Sequence, residues 1–553
     1  MFAKITKSGP RQYIQLVEAF RDADGVARHR HVANLGRVED SQDKFDRLIA
    51  SLSRAAGRGP PAAPAFQRSL EVGGPWLLSA LWDRLGLSRC LRGLTRADAK
   101  LDVDTLTRLM VINRLCDADS KLGVLRWLEE VIVPGVVPDE VTHQRLLRTM
   151  DVLDAHAGTI LSRLAGLVRP LLDQDLNLVF YDLTNVRIQG ETRLADDVRA
   201  FGMNKDTGGI ARQFALGLVQ SGCGMPLDFE VFPGDVGEVS TLLPMIQRSL
   251  ARYAVKRVVL VADRGMLSLD QITALEVLKL PKGVELSWII AVPARRYGDF
   301  MDPVVELAGT CVDATAPKVL ETEAGGYRMV VAHDPLVAAE QTAQRRARIA
   351  AIEAQAQSAV DKLERQDQGK KARGRRASDR GAYLRFITAV REAHLSKILK
   401  ADLRADSFSW HLDEAALARQ EAFDGKLILL TNVRDLKAVE VVERYKRLAD
   451  IERGFRVLKQ DIALAPVYHR LPERIRAHAL ICFLALLMHR VMRPKLTEFS
   501  PAAALRKLKA IQLHRFTADG KTVSGLTATG EETRSIFQQL DLPLPDTKAL
   551  QTS

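Results

Sequence analysis

Apolar positions change their spacing several times along the chain, and each change marks a different kind of segment. Tyr13, Ile14, Leu16 and Val17 precede the turn text Asp22-Ala-Asp-Gly25, and an extended stretch follows to Leu35-Gly36, which predicts a hairpin over 12–35. Arg58-Gly-Pro-Pro-Ala-Ala-Pro64 reads as a linker. From about 74 to 170 the spacing is helical, as in Leu106, Leu109, Met110 and Leu115, and again in Leu146, Leu147, Met150, Leu153 and Ile160. No internal repeat is visible.

Near residue 176 the texture turns to strands. Leu176 to Leu183 is a short apolar run, followed by Phe214 to Gln220 and Leu227 to Phe232, the last two joined by the turn Ser221-Gly-Cys-Gly224. A helix-like segment, Val239 to Tyr253, precedes a buried-strand run from Val255 to Ala262 that stops at Asp263. Another helix-like stretch leads to a fifth strand, Trp288 to Val292. Three strands joined by tight turns should be antiparallel, and the later two need helical crossovers and should be parallel. A mixed five-stranded α/β sheet in this order is the ribonuclease-H-like arrangement.

Strand text resumes at Lys426 to Thr431, a strong helix follows from Ala438 to Asp461, and an apolar helix runs from about 473 to 492. The expected organisation is a β-rich region at 1–57, a helical region at 66–172, a sheet core in two parts at 173–294 and 426–495, an insertion domain at 295–425, and a tail at 496–553. The insertion carries a long Ala/Gln/Arg helical run at 338–366 and the basic stretch Gly369 to Arg376.

Composition narrows the class. At 553 residues the chain is long enough for two to four domains, and 47% hydrophobic with 27% charged residues is a soluble globular balance. Lys and Arg number 80 against 68 Asp and Glu, a net +12 that favours a polyanionic partner through counterion release. An ordinary basic enzyme has the same balance. The five cysteines are scattered without zinc spacing, which points to a reducing compartment. No apolar signal region follows Met1, and the apolar run Ala479 to Met488 is too short to cross a bilayer. A buried helix and a cytosolic protein with no membrane contact are expected.

Three acids carry the candidate chemistry. Asp182 ends the first core strand and Asp263 the fourth, strands that this topology makes neighbours. Two close carboxylates stay ionised cheaply only with a cation between them, and hard oxygen ligands suit Mg²⁺. Taken singly, either aspartate is more simply a turn or helix cap. On the helix 438–461, Tyr445, Glu452 and Lys459 recur every seven residues, a spacing that drifts only ~20° on an ideal helix. Leu448, Ile451, Phe455, Leu458 and Ile462 form an apolar stripe beside them. A solvent-facing column of charge has the same spacing.

In their order these segments resemble insertion-sequence transposases of the Asp-Asp-Glu type found in bacteria, in the IS-four superfamily. Tyr445, Glu452 and Lys459 match that family's Tyr-x2-Arg-x3-Glu-x6-Lys pattern; its Arg position is Leu448 here, with Arg447 one residue earlier, ~100° round an ideal helix. Tyr181-Asp-Leu-Thr184, Phe201-Gly-Met-Asn-Lys-Asp206, Phe232-Pro-Gly-Asp235, Phe423-Asp-Gly-Lys426, Phe455 to Lys459, Pro466-Val-Tyr-His469 and Arg474-Ile-Arg-Ala-His478 resemble the IS-sixteen-thirty-four-like branch. The similarity runs from the N-terminal hairpin to about residue 492.

The resemblance implies that Asp182, Asp263 and Glu452 bind two Mg²⁺ ions (Mn²⁺ substituting), ~3.5–4 Å apart at the scissile phosphate. Tyr445 and Lys459, with Arg447 as a substitute contact, would hold the DNA. It also implies cleavage at the element's terminal inverted repeats, joining to target double-stranded DNA, a homodimer on paired ends, and a place in the bacterial cytosol at the nucleoid. A nuclease that cuts without joining, and a catalytically inactive DNA-binding derivative, remain as alternatives. The helical region and the hairpin are candidates for reading the ends. Arg108, Arg114, Lys121 and Arg126 are either such contacts or ordinary helix surface, and the basic stretch 369–376 either tracks phosphates or is a solvated loop.

Overall fold

The computed structural model describes residues 1–8, 11–37, 42–57, 65–95, 101–171, 178–189, 197–204, 209–236, 238–253, 257–262, 285–308, 316–369, 377–404, 407–447, 454–518 and 521–551. The chain divides into two compact units.

The first unit comprises Met1–Val72, Ala510–Thr529 and Asp546–Thr552. Strands β1 (Phe2–Ser8), β2 (Arg11–Arg21) and β3 (Ala27–Arg37) form an antiparallel meander. Asp22 makes the predicted turn because its Oδ1 accepts the N–H groups of Asp24 and Val26, at 3.2 and 2.9 Å. After the helix Gln42–Ala55, strand β4 (Ala65–Glu71) pairs antiparallel with β16 (Gln512–Ala518), which pairs with β17 (Lys521–Leu526). The C-terminal text thus supplies strands to the N-terminal unit, a long-range pairing that no local pattern advertises.

The second unit holds Gly73–Lys509 with Gly530–Pro545. Its helices Gly73–Leu85, Val103–Cys116, Lys121–Trp127, His143–Ala155 and Ala157–Val168 occupy the stretch that reads as helical. Asp102, Ser120 and Thr142 cap three of them, each side-chain oxygen accepting a backbone N–H three residues on. The apolar helix Pro472–Met492 is long and apolar enough to cross a membrane by composition, yet 89% of its most apolar window is buried inside the protein. It packs on Val103–Cys116 and His143–Ala155, and Arg474 and Arg476 pair with Asp151 and Asp154 at 2.8 Å.

Nine strands form the large mixed sheet. In chain order these are β5 (Leu178–Arg187), β6 (Ala200–Asn204), β7 (Gly209–Ser221), β8 (Pro226–Pro233), β9 (Arg257–Ala262), β10 (Glu285–Ala291), β11 (Lys318–Ala324), β12 (Tyr327–His333) and β15 (Lys426–Thr431). They pair in the order β11-β12-β15-β10-β9-β5-β7-β6, with β8 also on β7. The pairs β5–β9 and β9–β10 are parallel and the others antiparallel.

Strands occupy all five core segments read from the sequence, but the sheet has nine strands and not five, and the first strand does not end at Asp182 but continues to Arg187. The connection from the first to the second is a departure: it is no tight turn, and it carries β6. Ala-Phe-Gly-Met-Asn has no apolar alternation of its own, and β6 exists because the long β7 offers a pairing edge. The sheet is covered on both faces. Phe180 packs with Val261, Ile289, Val441 and Val442 under the helix Ala438–Lys446, while Tyr181 points oppositely and donates its hydroxyl to Thr241 Oγ1 (2.7 Å) on the helix Glu238–Tyr253.

Between β12 and β15 the long helix Pro335–Asp367, the helix Asp379–Glu392 and the hairpin β13 (Leu399–Arg404) and β14 (Ser407–Leu412) share a separate core around Ile352, Phe386, Leu399 and Phe408. The basic stretch, from Lys370 to Arg376, lies outside the described residues.

Candidate active site

Strands β5 and β9 run side by side in parallel, with Leu178, Val179 and Phe180 in register with Val259, Leu260 and Val261. Asp182 follows Phe180 by two residues, and Asp263 follows Val261 by two. The Asp182 backbone also pairs with Leu218 of β7. The Asp182 side chain, Asp263 and Glu452 lie outside the described residues. Among the described residues no three His, Cys, Asp or Glu side chains gather as a metal site.

The segments on either side of the third acid are described. Ala438–Lys446 is α-helical, and Tyr445 packs half-buried against the core cluster that contains Phe180 and Val261. Arg447 ends the helix, exposed, with its N–H returned to Glu443 O. Tyr445 and Arg447 therefore face differently: one contributes to the sheet packing, the other meets solvent. Phe455, Leu458 and Ile462 are buried, as the apolar stripe predicts; Leu448 and Ile451 lie outside the described residues.

Around Lys459 the backbone departs from the ideal helix. Val457–Asp461 is a π-helical turn, closed by Ile462 N–H on Val457 O at 2.9 Å. A π turn takes up an extra residue, so the seven-residue spacing does not continue to Lys459 on a straight α-helix. Just beyond it, Ala463 adopts a left-handed backbone (φ 50°), and its carbonyl accepts from Arg114 Nη1 at 3.2 Å.

Two family models match the chain over these segments. Residues 3–65 match the IS1634 family transposase, N-terminal domain, and residues 173–488, more than half of the chain, match the transposase DDE domain. The chain belongs to the DDE transposase family. Both matches together make it an IS1634-like transposase, a class of enzyme that works on DNA with divalent metal ions. No curated protein matches it.

Two of the transposase's sequence motifs meet at one corner of the sheet. A Cβ on Gly202 of β6 would lie 2.6 Å from Gly234 O, and one on Gly234 would run into the Gln213 backbone carbonyl. Gln213 Nε2 donates to Gly234 O (3.1 Å), and Asp197 pairs with the buried Arg199 and Arg212 beside them. These motif residues build a close-packed turn.

Gln220 escapes sequence reading altogether. It is fully buried on β7, paired with Phe180, and neither of its amide atoms has a hydrogen-bond partner among the described residues. A Cβ on Gly454, two residues beyond Glu452, would lie 2.8 Å from its Oε1. In the sequence it is simply the end of a strand.

Arg114 and Lys121 of the transposase correct both expectations held for them. They are neither DNA-facing nor solvated helix surface but 6% and 4% exposed, packed toward Pro472–Met492. Burial pulls the Lys121 ammonium down to about 7, with Arg114 adding repulsion. His469 is held down at about 3 by burial, with Lys121 and Arg114 next, and His478 is lowered for the same reasons. Arg108 donates to Pro134 O at 2.8 Å and is also an internal contact. Arg126 is exposed, as plain helix surface predicts.

Proposed function

We propose that the transposase cleaves DNA at the ends of its element and joins the freed 3′-hydroxyl to target DNA, with Asp182, Asp263 and Glu452 as its metal-binding triad on a ribonuclease-H-like core. The parallel register of β5 with β9 is the observation that carries this reading. Phe180 and Val261 are level across the pair, and each precedes an aspartate by two residues in the sequence. Phe180 packs beneath Ala438–Lys446, and Glu452 follows that helix in the sequence.

Three carboxylates from two strands and a helix are a hard-oxygen donor set, which fits Mg²⁺ or Mn²⁺. When bound, a pair of such ions supplies charge neutralisation and an activated oxygen at the scissile phosphate. The chain's own part is to hold and orient. Tyr445, seated against the sheet, Lys459 and Arg447 are the residues that would hold the DNA phosphates. In this reading residues 295–425 are an insertion domain between the two parts of the core. The partners are the element's terminal inverted repeats and target DNA, met as a homodimer on paired ends in the cytosol.

The test is cleavage of a labelled duplex carrying the element's own end, with Mg²⁺, Mn²⁺ or EDTA, by wild type and Glu452→Gln. Metal-dependent cutting and joining that vanish in the variant support the reading. Cutting without joining identifies a nuclease, and binding without cutting in any metal identifies an inactive derivative.

A further inference from the structure

Two clefts open next to each other where β11, β12 and β15 meet the long helix Pro335–Asp367. The first has a volume of about 490 Å³ and the second about 290 Å³, and they share Gln341, Arg345 and Gln420, so they form one groove. Lys318 from β11, Lys426 from β15 and Lys446 from the end of Ala438–Lys446 line the first. Arg348 from the long helix and Lys397, just before β13, line the second. Lys446, Arg348 and Lys397 are exposed and make no ion pair among the described residues.

The acids in the groove are already spent. Asp424 receives both Nη1 and Nη2 of Arg345 at 2.5 Å and the Thr342 hydroxyl at 2.7 Å. Asp334 caps the long helix, its Oδ1 accepting from Leu336 and Val337 at 3.0 and 3.3 Å. Burial lowers the pKa of His333 at the rim, with Lys426 adding repulsion. The groove's net field is therefore positive.

This is what the motif Phe423-Asp-Gly-Lys426 builds. Asp424 anchors Arg345, and Gly425 takes a left-handed backbone (φ +65°) where a Cβ would run into Asp334 O. Lys426 then stands in the wall.

We propose that this groove is a track for the phosphodiester backbone of the DNA on which the transposase acts. Its cations come from different elements and are spread along two connected clefts, with no single point of convergence. That arrangement suits a chain of phosphates, whereas a small anion is held by polar groups that converge on one point. The inference rests on reading the protein as an enzyme that binds DNA.

The experiment measures affinity for a duplex carrying the element's end at several salt concentrations, for wild type, for Lys446→Ala, Arg348→Ala and Lys397→Ala singly, and for the triple variant. Each phosphate contact removed should lower the slope of log K against log salt by about 0.9, hence by about 2.7 in the triple variant, with melting temperature unchanged. Because the three side chains are exposed, the single variants fold even if the triple one does not, and Lys446→Glu should weaken binding beyond Lys446→Ala. Wild-type slopes in the variants overturn the groove. So does displacement of a polyglutamate probe by the substitutions without any change in DNA binding, which would assign the groove to an acidic protein. If the wild-type protein binds no duplex, the DNA reading fails first; if it binds and only the slopes are unmoved, the groove alone fails.

Discussion

Phe180 and Val261 are register partners on neighbouring parallel strands, and each stands two residues before an aspartate. A one-residue slip would break this level pairing, so this register is what the catalytic proposal depends on. Asp182→Asn, Asp263→Asn and Glu452→Gln should each reduce metal-dependent cleavage and joining to background while end-DNA binding persists. Unaltered joining by Asp263→Asn in Mg²⁺ would remove that residue from the triad.

Asp424 holds Arg345 and Thr342 in a half-closed site, with both members of the ion pair largely buried. Removing one partner leaves an uncompensated charge, which costs roughly 3 kcal/mol. Asp424→Ala should lower the unfolding free energy by that order in urea, and Arg345→Ala with it should cost less than the sum of the two. Strict additivity would show the pair to be energetically idle.

Gly234 has no room for a methyl group, because the atom in the way is the Gln213 backbone carbonyl and not a movable side chain. Gly234→Ala should destabilise by roughly 1–3 kcal/mol through forced displacement of β7. A melting temperature equal to wild type would mean that the corner between β6 and β8 is pliable.

Stability should depend on pH in two windows. His469 is pulled from its ordinary 6.5 to about 3, so as pH falls below 6.5 the unfolded chain takes up a proton that the folded chain refuses, and stability drops until about pH 3. Lys121 falls from 10.5 to about 7, so its penalty is greatest below pH 7 and is relieved as pH rises toward 10.5. His469→Gln should make the acid limb shallower, with His478 supplying the remainder, and Lys121→Met should flatten the alkaline one, as read by denaturant unfolding at several pH values. Parallel profiles in wild type and Lys121→Met would contradict an ionisable buried lysine.

The sheet's central strands were legible because a strand buried on both faces needs an unbroken apolar run, and Leu178 to Tyr181 and Val258 to Ala262 supply one. The helical region was legible through its period, and the turn at Asp22 through a side chain that satisfies its own loop. Asp182 and Asp263 stood out as expected strand ends and Glu452 by its seven-residue spacing from Tyr445, although β5 runs on past Asp182 to Arg187. β6 could not, nor could β4, β16 and β17, whose pairing partners are remote in sequence. Arg114 and Lys121 read as surface because charge on a helix usually is surface; only the packing of Pro472–Met492 beside them makes them interior.

The sequence by itself determined the local periods, the turns, the family text and the residue types able to bind a divalent ion, since each of these is written within a few neighbouring residues. Tertiary structure decided which strands lie side by side, in what register, and which charges are buried or left facing a groove. Those depend on which remote surfaces exclude water from one another, and the spacing of residues along the chain carries no record of that.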